Sequence, residues 1–149
     1  MAANEKIKLF EAFALEKGVV KPNRKLFVVK PEDVKKIFGL LVEKLSYEGL
    51  YMSTLIGTDM KDEGKIRLDY YVVLLPEEET VVIRTFISRD APEIDSIIDI
   101  LPGALSGECE THDLLGVIFR GNPFLKRGFF VSKDVVEKGA FPLRKDSEV

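Results

Sequence analysis

The sequence predicts a two-layer α+β domain: an antiparallel β-meander covered by helices, followed by an extended C-terminal loop segment. Three observations predict it. Apolar and polar residues alternate through three successive runs between residues 51 and 88. The connections joining those runs are short and polar, as hairpins require. Amphipathic stretches of helical spacing flank the runs and can cover one apolar face of the sheet.

The elements follow in order. Asn4 is placed to cap a first helix whose stripe is Ile7, Phe10 and Ala14 with Leu9 and Phe13, and Gly18 is placed to end it. Residues 26–30 read as a short strand. Pro31-Glu32-Asp33 starts a second helix with proline and acids in its first turn, and Val34, Ile37, Phe38, Leu41 and Leu45 form its buried face. Strands are expected over 51–57, over 66–74 (Ile66, Leu68, Tyr70, Val72 and Leu74 facing one way) and over 81–88. Asp90-Ala91-Pro92-Glu93 has the form of a capping box, so a helix with Ile94, Ile97, Ile98 and Leu101 on its inner side is expected, stopped by Pro102-Gly103. A short helix over 105–115 ends at Gly116. From there the chain reads as loop, with a turn at Gly121-Asn122-Pro123. Residues 1–116 thus read as the α+β domain and 117–149 as an extended C-terminal segment of it.

Composition excludes several function classes. The chain has 149 residues, enough for one domain with a sizeable core. Its net charge is −3, which does not suit a general nucleic-acid or anionic-membrane binder. Cys109 is the one cysteine and His112 the one histidine, so neither an intramolecular disulfide, a Cys-ligated iron–sulfur cluster nor a structural zinc site is expected from this chain alone. No run approaches the roughly 18 apolar residues of a membrane-spanning helix. The charged amphipathic N-terminus is unlike a signal peptide, which leads us to expect the cytoplasmic side. Glutamine is absent and asparagine occurs only at positions 4, 23 and 122, an amide-poor composition of the thermophile kind.

Charge is uneven. Residues 76–113 carry ten acids against two bases, whereas 114–149 carry seven bases against four acids. Two readings stand: solvated faces that partly neutralise each other, or a docking surface whose acidic and basic parts meet different partners.

Reactive residue types concentrate in Glu108-Cys109-Glu110-Thr111-His112-Asp113. A stand-alone metal enzyme could use Glu108, His112 and Asp113, yet on a helix Glu108 and Glu110 lie about 200° apart, and one carboxylate with one imidazole is a thin ligand set. A Cys109–His112 nucleophile pair has the right i, i+3 spacing but apolar neighbours and no oxyanion-hole loop. His112 reads more simply as a helix residue held by Glu108 one turn away. In the third reading the helix offers carboxylates to another chain: Glu110 and Asp113 share a face, and a partner's arginine or lysine would relieve their repulsion.

The segment continues as Leu114-Leu115-Gly116-Val117-Ile118-Phe119-Arg120-Gly121-Asn122-Pro123-Phe124-Leu125-Lys126-Arg127. With Glu108 to Asp113 before it, this resembles the signature of the C-subunit family of NADH-quinone oxidoreductase (respiratory complex I). Phe141-Pro142-Leu143-Arg144-Lys145-Asp146 is similar to that family's closing Pro-Leu-Arg-Lys-Asp. The likeness covers residues 80–146. Departures fall at Cys109, where the family has arginine, and at His112, Asn122 and Phe124, where it has an aromatic residue, histidine and an acid.

The resemblance implies a cofactor-free subunit that packs on a large catalytic subunit, alongside the iron–sulfur subunits of the same complex. Its membrane association would be indirect, on the cytoplasmic face, with no nucleic acid involved. Related assemblies include membrane-bound nickel-iron hydrogenases, formate hydrogenlyases, reduced-coenzyme dehydrogenases and an archaeal sulfane-sulfur reductase. The departures and composition lean towards the archaeal group, a ferredoxin-linked hydrogenase first. Glu108, Glu110, Asp113, Pro123, Lys126, Arg127, Arg144 and Lys145 are the residues implied at or near the subunit interface. The same carboxylates could instead pair internally with those bases.

Overall fold

The computed structural model describes residues 1–147. Helix α1 (Ala3–Glu11) leads into a hairpin of β1 (Glu16–Val20) and β2 (Arg24–Val28), and helix α2 (Pro31–Leu45) follows. The meander is β3 (Leu50–Met60), β4 (Lys65–Leu74) and β5 (Glu79–Ser88). Together the five strands form one sheet in the order β1-β2-β5-β4-β3, with only the β2–β5 pair parallel. After it come the short strand β6 (Glu93–Asp95), helix α3 (Leu105–Leu115), strand β7 (Ile118–Arg120) and helix α4 (Lys133–Glu137). Strands β6 and β7 pair in parallel as a separate ribbon.

The α+β class and the meander agree with the sequence reading, because period-two alternation decides which side of a strand is buried. Along β4, Ile66, Leu68, Tyr70, Val72 and Leu74 are all buried, and β5 answers with Val81, Ile83 and Ile87. Helix α2 supplies the cover through Val34, Ile37, Phe38 and Leu41. Phe38 meets the Tyr70 ring at 5.6 Å, and Phe10 of α1 stacks on Phe27 of β2 at 5.6 Å. Each such side chain contributes about 1.5–3 kcal/mol of transfer free energy. The other side of β4 is closed by polar groups: Asp69 accepts from Arg84 at 2.8 and 3.2 Å.

Three expected elements differ: the first helix, the helix over 94–101, and the stretch after Gly116, expected as loop, which pairs β7 with β6 and later forms the short helix α4. The first helix starts after Ala2, not at Asn4, and ends at Glu11. Gly18 lies within β1, paired with Leu26, because the Leu15 amide is already bonded to the Val28 carbonyl and draws the chain into the hairpin. The expected helix over 94–101 is replaced by β6 and a turn. Ile94, Ile97 and Leu101 are buried as the spacing required. At the start of the run the backbone finds tertiary partners, Ser96 N–H donating to the Arg120 carbonyl and Ile97 N–H to the Glu108 carboxylate, and only a single turn closes after it, with Leu101 N–H on the Ile97 carbonyl. A short apolar run is compatible with either geometry, and here the distant acceptors decide.

Helix α3 forms as expected and lies across β3. Gly107 backs onto Leu55, and Gly57 of the strand leaves room for Thr111 and Leu115. Gly116 caps it in the left-handed conformation (φ +81°), donating its N–H to the His112 carbonyl.

Candidate functional site: two buried carboxylates and the loops they hold

Helix α3 carries the residues singled out in the sequence, and it points them in different directions. Glu108 and Asp113 are both 0 % exposed. Glu110, between them in the chain, faces solvent.

Glu108 joins two turns. One oxygen accepts Ser96 Oγ at 2.6 Å and Asn122 Nδ2 at 3.0 Å, and the other accepts Ile97 N–H at 2.9 Å. Burial pushes its carboxyl above the usual range, opposed by these three donors. Asn122 extends the network, since its Oδ1 accepts Phe124 N–H at 2.8 Å. Asparagine at this position therefore works in both directions, as donor and as acceptor.

Asp113 organises the next loop. Its Oδ1 accepts Arg127 Nε and Gly128 N–H, each at 3.0 Å. Its Oδ2 accepts Phe130 N–H at 2.7 Å and Val131 N–H at 3.1 Å. Burial alone would raise this carboxyl, but the three amides and the guanidinium outweigh it and hold it below the ordinary carboxylate range. Arg127 in turn donates Nη2 to the Ala140 carbonyl and lies 4.2 Å from the centre of the Phe141 ring.

The closing Phe141 to Asp146 stretch is strapped to the sheet. Arg144 Nε donates to the Leu115 carbonyl at 2.8 Å. Lys145 contributes its backbone N–H, to Asp59 Oδ2 at 2.8 Å, while its side chain is exposed. Asp59 also pairs with Arg89 at 2.7 and 3.0 Å, and Arg89 reaches Asp146 at 2.8 Å. The Arg89 guanidinium keeps the Asp59 carboxyl low.

Of the implied interface residues, Glu110, Pro123, Lys126 and Lys145 are exposed. Glu108, Asp113, Arg127 and Arg144 are bonded within this chain, so for Asp113 and Arg127 the internal pairing holds. Asp113 is buried apart from Glu110, so the two do not form the expected solvated pair. His112 is not held by Glu108; its Nδ1 lies 2.9 Å from the Val117 carbonyl, which can only accept, so Nδ1 carries the proton. The Cys109 thiol lies 3.7 Å from the Phe124 carbonyl, and burial, with the Glu108 charge, pushes it up, contrary to an activated nucleophile. Among the described residues no group of three or more His, Cys, Asp and Glu side chains converges as metal ligands. Sequence reading missed Ser96, Asn122, Asp59 and Arg89 as partners. Only Asn122, an isolated amide inside a Gly-Asn-Pro turn, offered any local signal.

Fold and site define a small α+β domain whose motif residues fasten a C-terminal segment onto a sheet. Residues 27–149 match the family described as "Respiratory-chain NADH dehydrogenase, 30 Kd subunit". The chain belongs to this family. It is 29 % identical to the NADH-quinone oxidoreductase C subunit of Moorella thermoacetica, over 93 % of this chain and 88 % of that one. It is 26 % identical to the F(420)H(2) dehydrogenase C subunit of Methanosarcina mazei, over 89 % of this chain and 81 % of that one. Its fold is shared with a chain in the structure of the membrane-bound sulfane sulfur reductase, an archaeal respiratory membrane complex, with a TM-score of 0.80 at 24 % identity, covering 99 % of this chain and 87 % of that one. Among the described residues no helix is long and apolar enough to cross a membrane.

Proposed function

We propose that this chain is a cofactor-free peripheral subunit of a complex-I-like, ion-translocating membrane complex, docked on the large catalytic subunit at the cytoplasmic face. The observation that carries the reading is family membership over residues 27–149. With one cysteine and one histidine the chain is poorly equipped to hold a redox centre, which suits an organising role beside the iron–sulfur subunits. Within this class we assign it first to a ferredoxin-linked nickel-iron hydrogenase, on the departures at Cys109, His112, Asn122 and Phe124 and the amide-poor composition. Quinone reductase and sulfane-sulfur reductase complexes are the alternatives of the same class.

Purification of the tagged chain from native membranes tests the proposal. A large subunit identified in the same particle is the expected result, and two cysteine pairs placed in that subunit as nickel ligands specify hydrogenase. Elution of the chain alone would overturn the docking reading. Exposed Glu110 is the carboxylate to reverse: Glu110→Lys should weaken assembly while leaving the domain's own melting unchanged.

A further inference from the structure

Between the start of α3 and the loop that Asp113 anchors runs an open groove of about 470 Å³, lined by Leu105, Ser106, Cys109, Phe124, Lys126 and Phe129. Two of its walls are exposed aromatic rings: Phe124 is 61 % and Phe129 72 % exposed. Such surface, gathered in one place, marks an interaction site more often than scattered apolar residues do.

The backbone carrying both aromatic walls is held in place. The amides of Gly128 and Phe130, on either side of Phe129, are bonded to Asp113, which keeps that residue's backbone fixed. Phe124 is fixed through its N–H to Asn122, which Glu108 holds in turn. An aromatic side chain on an anchored backbone has few rotatable bonds to lose on binding, and aromatic residues are enriched at interface cores.

Charge selects the occupant. Arg127 is neutralised by Asp113. The Lys126 side chain makes no hydrogen bond or ion pair among the described residues. Glu110 lines a different hollow, beside Thr54 and Leu143. The groove thus offers an apolar floor with one uncompensated cation and no acid in its lining.

We infer that the groove receives a short segment of the large partner subunit in which apolar side chains sit next to a carboxylate, the carboxylate pairing with Lys126. The inference rests on the docking proposed above and assigns it a surface and a chemistry. The motif carboxylates Glu108 and Asp113 then serve the interface indirectly, as positioning residues beneath the groove.

The test uses the full chain in its native complex. A photoreactive benzoylphenylalanine at position 129 should cross-link to a large-subunit peptide that has Asp or Glu beside apolar residues. Phe129→Ser and Lys126→Glu should each lower recovery of the large subunit by about tenfold or more, while Lys126→Arg retains it, and the melting of the isolated chain should stay at the wild-type value. A cross-link to a second copy of this chain, to lipid or to a segment without an acid overturns the inference. If the wild type recovers the large subunit and both variants do so in full, the groove assignment fails while docking stands. If the wild type itself recovers none, docking fails and the groove assignment with it.

Discussion

Asp113, fully buried on α3, accepts Arg127 Nε at 3.0 Å, and the same carboxylate caps three backbone amides of the loop that follows. An acid at this position is thus a loop anchor. Removing its charge should expose how much the loop depends on it. Asp113→Asn replaces one acceptor oxygen with a donor facing donors, and should lower stability by about 3 kcal/mol. Hydrogen exchange should rise in residues 127–131 while the β4 and β5 amides stay protected. Because the folded carboxyl is held low, its contribution is complete above the unfolded value and is lost as pH falls through the folded one. Denaturation from pH 6 down to pH 2 should therefore show the gap between wild type and variant closing at the acid end.

Glu108 should behave with the opposite sign. Its carboxyl is raised by burial, so its proton-linked contribution is complete below the unfolded value near 4.5 and declines as pH rises through the folded one. Relative to Glu108→Gln, which has no proton to lose, the wild type should be at its best near pH 4 and lose ground towards pH 7. A constant difference across that range, measured by urea titration, would contradict this account.

The C-terminal strap can be released separately. Arg89→Ala leaves Asp59 buried without its guanidinium and should cost about 3 kcal/mol, with faster exchange and proteolysis across residues 141–147. Asp146→Asn removes only the exposed arm of the same cluster, and should cost clearly less than Arg89→Ala. Equal losses would mean that Asp59 does not carry the attachment.

Two glycines of the motif should respond unequally to alanine. At Gly116, with φ +81°, an added Cβ would lie 3.0 Å from the Phe141 ring as well as in the left-handed region. At Gly121, with φ +90°, it would meet nothing within 4 Å. Gly121→Ala should cost about 1 kcal/mol from backbone conformation, and Gly116→Ala more, since the ring must also shift. Thermal melts of both variants decide the order.

The sequence by itself determined those parts of the protein whose physics is local. Alternation in β4 and β5 decides which side chains are buried, the Pro31 start and apolar spacing of α2 decide its inner face, and Gly116 decides where α3 stops. The motif was readable as a motif. Its wiring was not. The end of the expected first helix gave way to a hairpin, and residues 94–101 bury the expected isoleucines and leucine without the expected helix. Only the tertiary structure decided that Glu108 reaches back to Ser96 and forward to Asn122, and that Asp59 meets the amide of Lys145, 86 residues away. The physical reason is that a buried carboxylate takes whichever donors the closed fold brings to it. Those donors lie on other elements, where no local period can register them.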